Sequence, residues 1–119
     1  MNFAINDIIA AISTPPGMGG IAVIRLSGCG SHELAKRFFR PLAQNCGFEA
    51  NRMYAGWITD AENGEPLDEA LYVRFAEPRS FTRQDVVELQ IHGGGRRARC
   101  ILDRLLENGA RLAEAGEFT

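Results

Sequence analysis

Histidine is scarce in this chain of 119 residues, where His32 and His92 are the only two. No H-x-x-x-H spacing occurs and no thiol pair stands near either ring, so a metal site is not expected. A catalytic triad is short of parts as well. His92-Gly93-Gly94-Gly95 has the look of an oxyanion loop, but no G-x-S-x-G nucleophile elbow is present, and a hydrolase is excluded on that ground. Cysteine is nearly as rare. Cys29, Cys46 and Cys100 form an odd set without C-x-x-C, which argues against a disulfide framework or zinc knuckle and for reduced thiols in a cytoplasmic protein. Neither sign of charge dominates: 13 Lys and Arg against 15 Asp and Glu give a net charge of −2, too little positive charge for a surface that is basic all over. No apolar run approaches the ~20 residues a bilayer span needs. Met1 to Asp7 also lacks a basic segment ahead of an apolar one, so neither a membrane span nor an export signal is expected.

What is present suits one soluble domain. A 45% hydrophobic fraction can fill a core, and a chain of this size buries roughly two-thirds of the surface its unfolded form exposes. Ile8 to Ile12 reads as a buried strand closed by Ser13-Thr14-Pro15-Pro16-Gly17. Ile21 to Leu26 is β-branched and almost wholly apolar, as in a strand covered on both faces. Ser31 is a plausible N-cap for a first helix that Pro41 stops. Met53 to Thr59 and Leu67 to Phe75 flank the turn-forming Asp60 to Gly64 as a hairpin. In Asp85 to His92, alternation puts Val87, Leu89 and Ile91 on one face and Val86, Glu88, Gln90 and His92 on the other. Ala98, Ile101, Leu102, Leu105 and Leu106 then recur at helical spacing until Asn108-Gly109 stops them, and Ala110 to Leu112 can add a short strand. The pattern predicts an α+β fold, a mixed β-sheet of about five strands with helices packed on it.

Three constellations could carry chemistry. Gly17-x-Gly19-Gly20 allows close backbone approach, but it lies between two predicted strands and not ahead of a helix, where anion-binding amides would be. Arg96, Arg97 and Arg99 open the second helix, either as a solvated basic face or as an anion-attracting cluster against the dipole preference. Arg25 and Glu88 stand out most, each the one charge in an apolar or alternating run. They either pair with each other or with solvent, or face a common pocket that grips a planar heterocycle through its N–H donors.

Longer stretches carry a resemblance. Ala11-Ile12-Ser13-Thr14-Pro15-Pro16-Gly17-Met18-Gly19-Gly20-Ile21-Ala22-Val23-Ile24-Arg25-Leu26-Ser27-Gly28 closely resembles the opening of the tRNA modification GTPase family called MnmE or TrmE. Ser80-Phe81-Thr82-Arg83-Gln84-Asp85-Val86-Val87-Glu88-Leu89-Gln90-Ile91-His92-Gly93-Gly94 and the ending Gly109 to Thr119 do so too, in order and at matching spacing. The resemblance implies that residues 1–119 are an N-terminal domain similar to the tetrahydrofolate-binding fold, which binds 5-formyltetrahydrofolate or a related one-carbon folate and forms a homodimer. It carries the folate contacts onto Arg25 and Glu88 and gives this domain no catalytic residue and no metal. It further implies a longer protein with helical and GTPase domains holding GTP, Mg and K. With a GidA/MnmG-type flavin partner, that protein places an aminomethyl-type group on C5 of the wobble uridine of certain tRNAs. A further family contact, a Lys, would fall beyond Thr119. Met18 stands where the family has Arg, Arg83-Gln84 where it has Gly-Glu, and Gly95 and Ala115 where it has Pro. A dimerisation scaffold without folate binding is the alternative, and tRNA binding through Arg96, Arg97, Arg99 and Arg104 a third reading.

Overall fold

Val87, Leu89 and Ile91 alternate with Val86, Glu88 and Gln90, a period of two that commits this segment to a strand with one apolar face. The computed structural model describes residues 7–13, 21–75, 85–92 and 94–114, and in it this segment is strand β6 (Asp85–Ile91), with Val87, Leu89 and Ile91 buried. The other strands are β1 (Ile8–Ile12), β2 (Ala22–Gly28), β3 (Phe39–Pro41), β4 (Met53–Thr59), β5 (Pro66–Phe75) and β7 (Ala110–Leu112). They form a single sheet in the order β3-β4-β5-β6-β2-β1-β7, antiparallel throughout except for the parallel pair β1 and β7. The fold is α+β with a mixed sheet, as expected.

Seven strands stand where about five are expected, and the reason is local. The first helix, α1 (Ser31–Lys36), stops well short of Pro41, and Phe39–Pro41 becomes an edge strand paired with β4. Proline lacks an N–H and is tolerated at a sheet edge, so Pro41 marks a strand here and not a helix stop. Gly56 on β4 makes this pairing possible, because a Cβ there would collide with the Arg40 carbonyl oxygen and the Phe39 ring. The cap also differs from the expected one. Gly30, at φ 94°, is the N-cap, while the Ser31 hydroxyl donates to the Gly28 carbonyl at 2.8 Å. Finally, β2 is not covered on both faces: Ala22, Ile24 and Leu26 are buried, but Val23, Arg25 and Ser27 between them are partly exposed.

The second helix, α2 (Gly94–Glu107), buries Ala98, Ile101, Leu102 and Leu105. These join Leu34 and Ala35 of α1 and the inward side chains Ile24, Leu26, Val87, Leu89, Ile91 and Tyr72 in one core. Burial of each large aliphatic contributes about 1.5–3 kcal/mol, whereas arginines at a helix N-terminus oppose the dipole by less than about 1 kcal/mol each. Packing therefore decides where α2 lies. Both helices cover the same sheet face, which leaves the side chains of Arg25 and Glu88 on the other. No helix among the described residues is long and apolar enough to cross a membrane.

An aromatic cluster closes the core near α1. The His32 ring packs edge-on against Phe48 and Tyr72, and its Nδ1 lies 2.7 Å from the Tyr72 hydroxyl. Burial, then the Arg74 and Lys36 charges, hold the His32 imidazole below its ordinary pKa of 6.5, against opposing contributions from Glu33 and Asp85. A histidine kept neutral in the fold but free to protonate when unfolded lets acid favour the unfolded chain. The His32 contribution to stability is therefore fully present above about pH 6.5 and is lost as the pH drops below it. Melting temperatures recorded from pH 7.5 down to 5.5 should decline for the parent and stay flatter for His32→Gln.

Candidate functional site

The register of β2 against β6 builds the site. Arg25 lies directly opposite Glu88, with Val23 opposite Gln90 on one side and Ser27 opposite Val86 on the other, all on the face that the helices leave uncovered. Directly opposed residues in an antiparallel pair share a face and sit close enough for their side chains to meet. Arg25 Nε donates to Glu88 Oε2 at 3.0 Å, and its Nη2 donates to the same oxygen. The pair is unequally exposed, with 38% of the Arg25 side chain accessible against 12% for Glu88. Of the two readings open in the sequence, direct pairing is what the geometry shows. The pair also borders accessible surface on its Arg25 side, and among the described residues both of its contacts fall on Oε2, so that Oε1 meets no donor among them.

Further along the same face, β4 and β5 bring Ala55 opposite Leu71 and Trp57 opposite Glu69. With Leu42 and His92 these side chains line a shallow cleft of about 360 Å³. His92 alone of these was singled out in the sequence, and period-two alternation through Ala55 and Trp57, and through Glu69 and Leu71, is the signal that places the others together. Leu42 carried no signal, since it opens the stretch Leu42 to Arg52, which has no clear period.

The basic helix has mostly internal work. Arg97 donates to the Leu67 carbonyl, Arg99 pairs with Asp103 at 3.4 Å, and Arg104 pairs with Asp60. Asp60 is held below the ordinary carboxylate range, first by the Glu62 backbone N–H at 2.8 Å and also by Arg104, so it ties the β4–β5 turn to α2. Only Arg96 of these four has no such partner among the described residues, which disfavours an RNA-binding stripe. The glycine turn at 17–20, Met18, Arg83, Gln84 and Ala115 lie outside the described residues.

The family model described as the N-terminus of the GTP-binding protein TrmE matches residues 8–119. A protein of Geobacter sulfurreducens named tRNA modification GTPase MnmE is 49% identical over 115 residues, covering 97% of this chain and 25% of its own length. The proteins of the same name from Geobacter metallireducens and Desulfotalea psychrophila are 47% identical over 115 residues and 44% over 119, again with 25% of their lengths matched. The chain thus spans about a quarter of the curated relatives it matches.

Removing one member of the pair should expose how far the site depends on the other. Arg25→Ala leaves the mostly buried Glu88 carboxylate without its counter-charge. Partial exposure puts the expected loss at about 1–2 kcal/mol, between the values for surface and buried pairs. Urea unfolding of Arg25→Ala, Glu88→Gln and the double variant should show a coupling of that order, the double variant losing less than the two singles summed.

Proposed function

The chain belongs to the TrmE N-terminal family, and from that premise we propose that it is the ligand-binding and self-associating module of a tRNA modification GTPase. Its ligand is a one-carbon tetrahydrofolate such as 5-formyltetrahydrofolate, and Arg25 and Glu88 hold it. The observation that carries this reading is the Arg25–Glu88 pair itself, fixed by strand register on the sheet face away from the helices, with no contact to Glu88 Oε1 among the described residues. A carboxylate fits the adjacent N–H donors of an aminopyrimidine edge, and a guanidinium fits a carbonyl or carboxylate oxygen. When bound, the folate supplies the one-carbon unit. The part played by this chain is to bind and orient, with the pair aligning polar edges while apolar neighbours such as Val73 exclude water beside them.

Exposed apolar side chains on the same face, Leu42 at 67% and Met53 at 51%, support pairing with a second copy. The longer protein acts in the cytoplasm with a GidA/MnmG-type flavin protein on the wobble uridine of certain tRNAs, adding an aminomethyl-type group at C5. Its GTP, Mg and K belong to a GTPase outside these residues. The names of the relatives, tRNA modification GTPase, support the tRNA and GTPase parts of this reading.

A second reading is a dimerisation scaffold that binds no folate, and one observation favours it: Arg25 and Glu88 already satisfy each other's charge without a ligand. Calorimetric titration with 5-formyltetrahydrofolate separates the two. The folate reading expects saturable binding by the parent that Glu88→Gln and Arg25→Ala each weaken about tenfold or more, as for loss of a charged hydrogen bond. Equal affinity in all three proteins removes the pair from the site, and no heat of binding from the parent leaves the scaffold.

A further inference from the structure

Arg74 stands where strand alternation calls for an apolar side chain. Ala70, Tyr72 and Arg74 share one face of β5; the first two are buried, and Arg74 lies directly opposite the buried Val87 of β6. This is the helix-covered side of the sheet, away from Arg25 and Glu88. The residue as a whole is half-buried, but its Nε is fully buried and meets no hydrogen-bond acceptor among the described residues. No ion pair answers the charge either. Asp85, two residues from Val87 on the same face, and Glu33 of α1 both act on the nearby His32, yet neither pairs with Arg74, and Glu33 lies 3.8 Å from Lys36 instead. A buried charged donor bears its full desolvation penalty unless an acceptor meets it.

The wall beside this guanidinium is stiff. His32 Nδ1 lies 2.7 Å from the Tyr72 hydroxyl, and the Phe39 and Phe48 rings each pack on the Tyr72 ring at 5.0 Å between centroids. The Arg74 charge reaches both polar members. It adds to burial in lowering the His32 pKa, and it works against the rise that burial imposes on Tyr72. A neutral imidazole and a neutral phenol supply no counter-charge. The chain segment over the cluster is also strained, since Phe48 at φ 51° and Asn51 at φ 63° both occupy the left-handed region without being glycine. Ring packing holds Phe48 there, and the Asn51 backbone N–H donates to the Arg74 carbonyl at 2.6 Å. Strain held in place by its surroundings is a mark of ligand clamps. The unmet donor and the strained segment meet at the same residue.

We propose that Arg74 anchors a site for a small oxyanion, a phosphate or carboxylate group, on the helix-covered side of the sheet beside the His32–Tyr72 pair. Nε–H and one Nη–H share an edge of the guanidinium and form a planar fork that two oxygens of such an ion match. One oxygen takes the buried Nε, and the other takes Nη toward the accessible part of the residue. The site lies on the opposite face from the Arg25–Glu88 pair, and the folate reading and this one stand or fall separately.

Nitrogen–proton NMR and thermal melts of the whole chain test this, with inorganic phosphate and acetate as probes against chloride at equal ionic strength. The Arg74 Nε–H resonance, identified by its absence in Arg74→Lys, should shift saturably in the parent with at least one probe. At about ten times the dissociation constant, the parent's melting temperature should rise by roughly 4 °C. Arg74→Lys keeps the charge without the fork and should bind about tenfold more weakly or worse. Arg74→Met keeps an apolar stem without donors; it should melt no lower than the parent in chloride and gain only the general salt effect common to all three proteins. A response to phosphate alone assigns a phosphate group, and a response to acetate alone assigns a carboxylate. A stationary Nε–H, with equal probe responses in parent and Arg74→Met, overturns the site. A lower melting temperature for Arg74→Met in chloride also overturns it, because Nε would then have its acceptor within the fold or in an ordered water.

Discussion

The register between β2 and β6 is the constraint on which the rest of the molecule depends. Seven residue pairs, from Ala22 opposite Ile91 to Gly28 opposite Asp85, set it. Because side chains alternate across a strand, a slip of one residue would turn Ile24, Leu26, Val87 and Leu89 out of the core and press Arg25 or Glu88 into it. Burying an unpaired charge there costs far more than any single aliphatic contact returns. The same register that packs the core thus brings the guanidinium and carboxylate together. Site and core are two faces of one decision, which accounts for a charged pair surviving at the centre of a sheet.

Much of this was legible in the sequence, and the limits follow from length scale. Glu88 declared its face because Val87, Leu89 and Ile91 alternate around it, and Arg25 declared itself as a charge inside an apolar run. That they pair was only one of the readings the sequence left open, since no local pattern sets the register of strands separated by 63 residues. The strand β3 was missed because three residues are too few to show a period and Pro41 reads equally as a helix stop or an edge residue. The cleft beside Trp57 was missed for a related reason. It forms only when β3, β4 and β5 lie side by side, and Leu42 enters it from a segment with no repeat.

The structure divides its labour between the two faces of a single sheet. The inner face, sealed by α1 and α2, carries the free energy of folding through aliphatic burial and the aromatic cluster around His32 and Tyr72. The outer face carries specificity, with a charged pair over the central strands and an apolar patch over β3 to β5. Arginines that a sequence reading groups as a basic stripe are instead spent on the frame, with Arg97 on a carbonyl and Arg104 on the turn at Asp60. The outer face is thereby left to the Arg25–Glu88 pair and its neighbours.

Pro41 at the sheet margin has a further effect. An edge strand ordinarily offers unpaired N–H groups on which an unrelated extended chain can add itself, and repeated addition is the route to amyloid-like growth. Here the margin is three residues long, one of which has no N–H to offer. The opposite margin, β7, is equally short. The sheet is closed to lateral growth at both ends, so a chain that exposes Leu42 and Met53 can still avoid polymerising through its backbone.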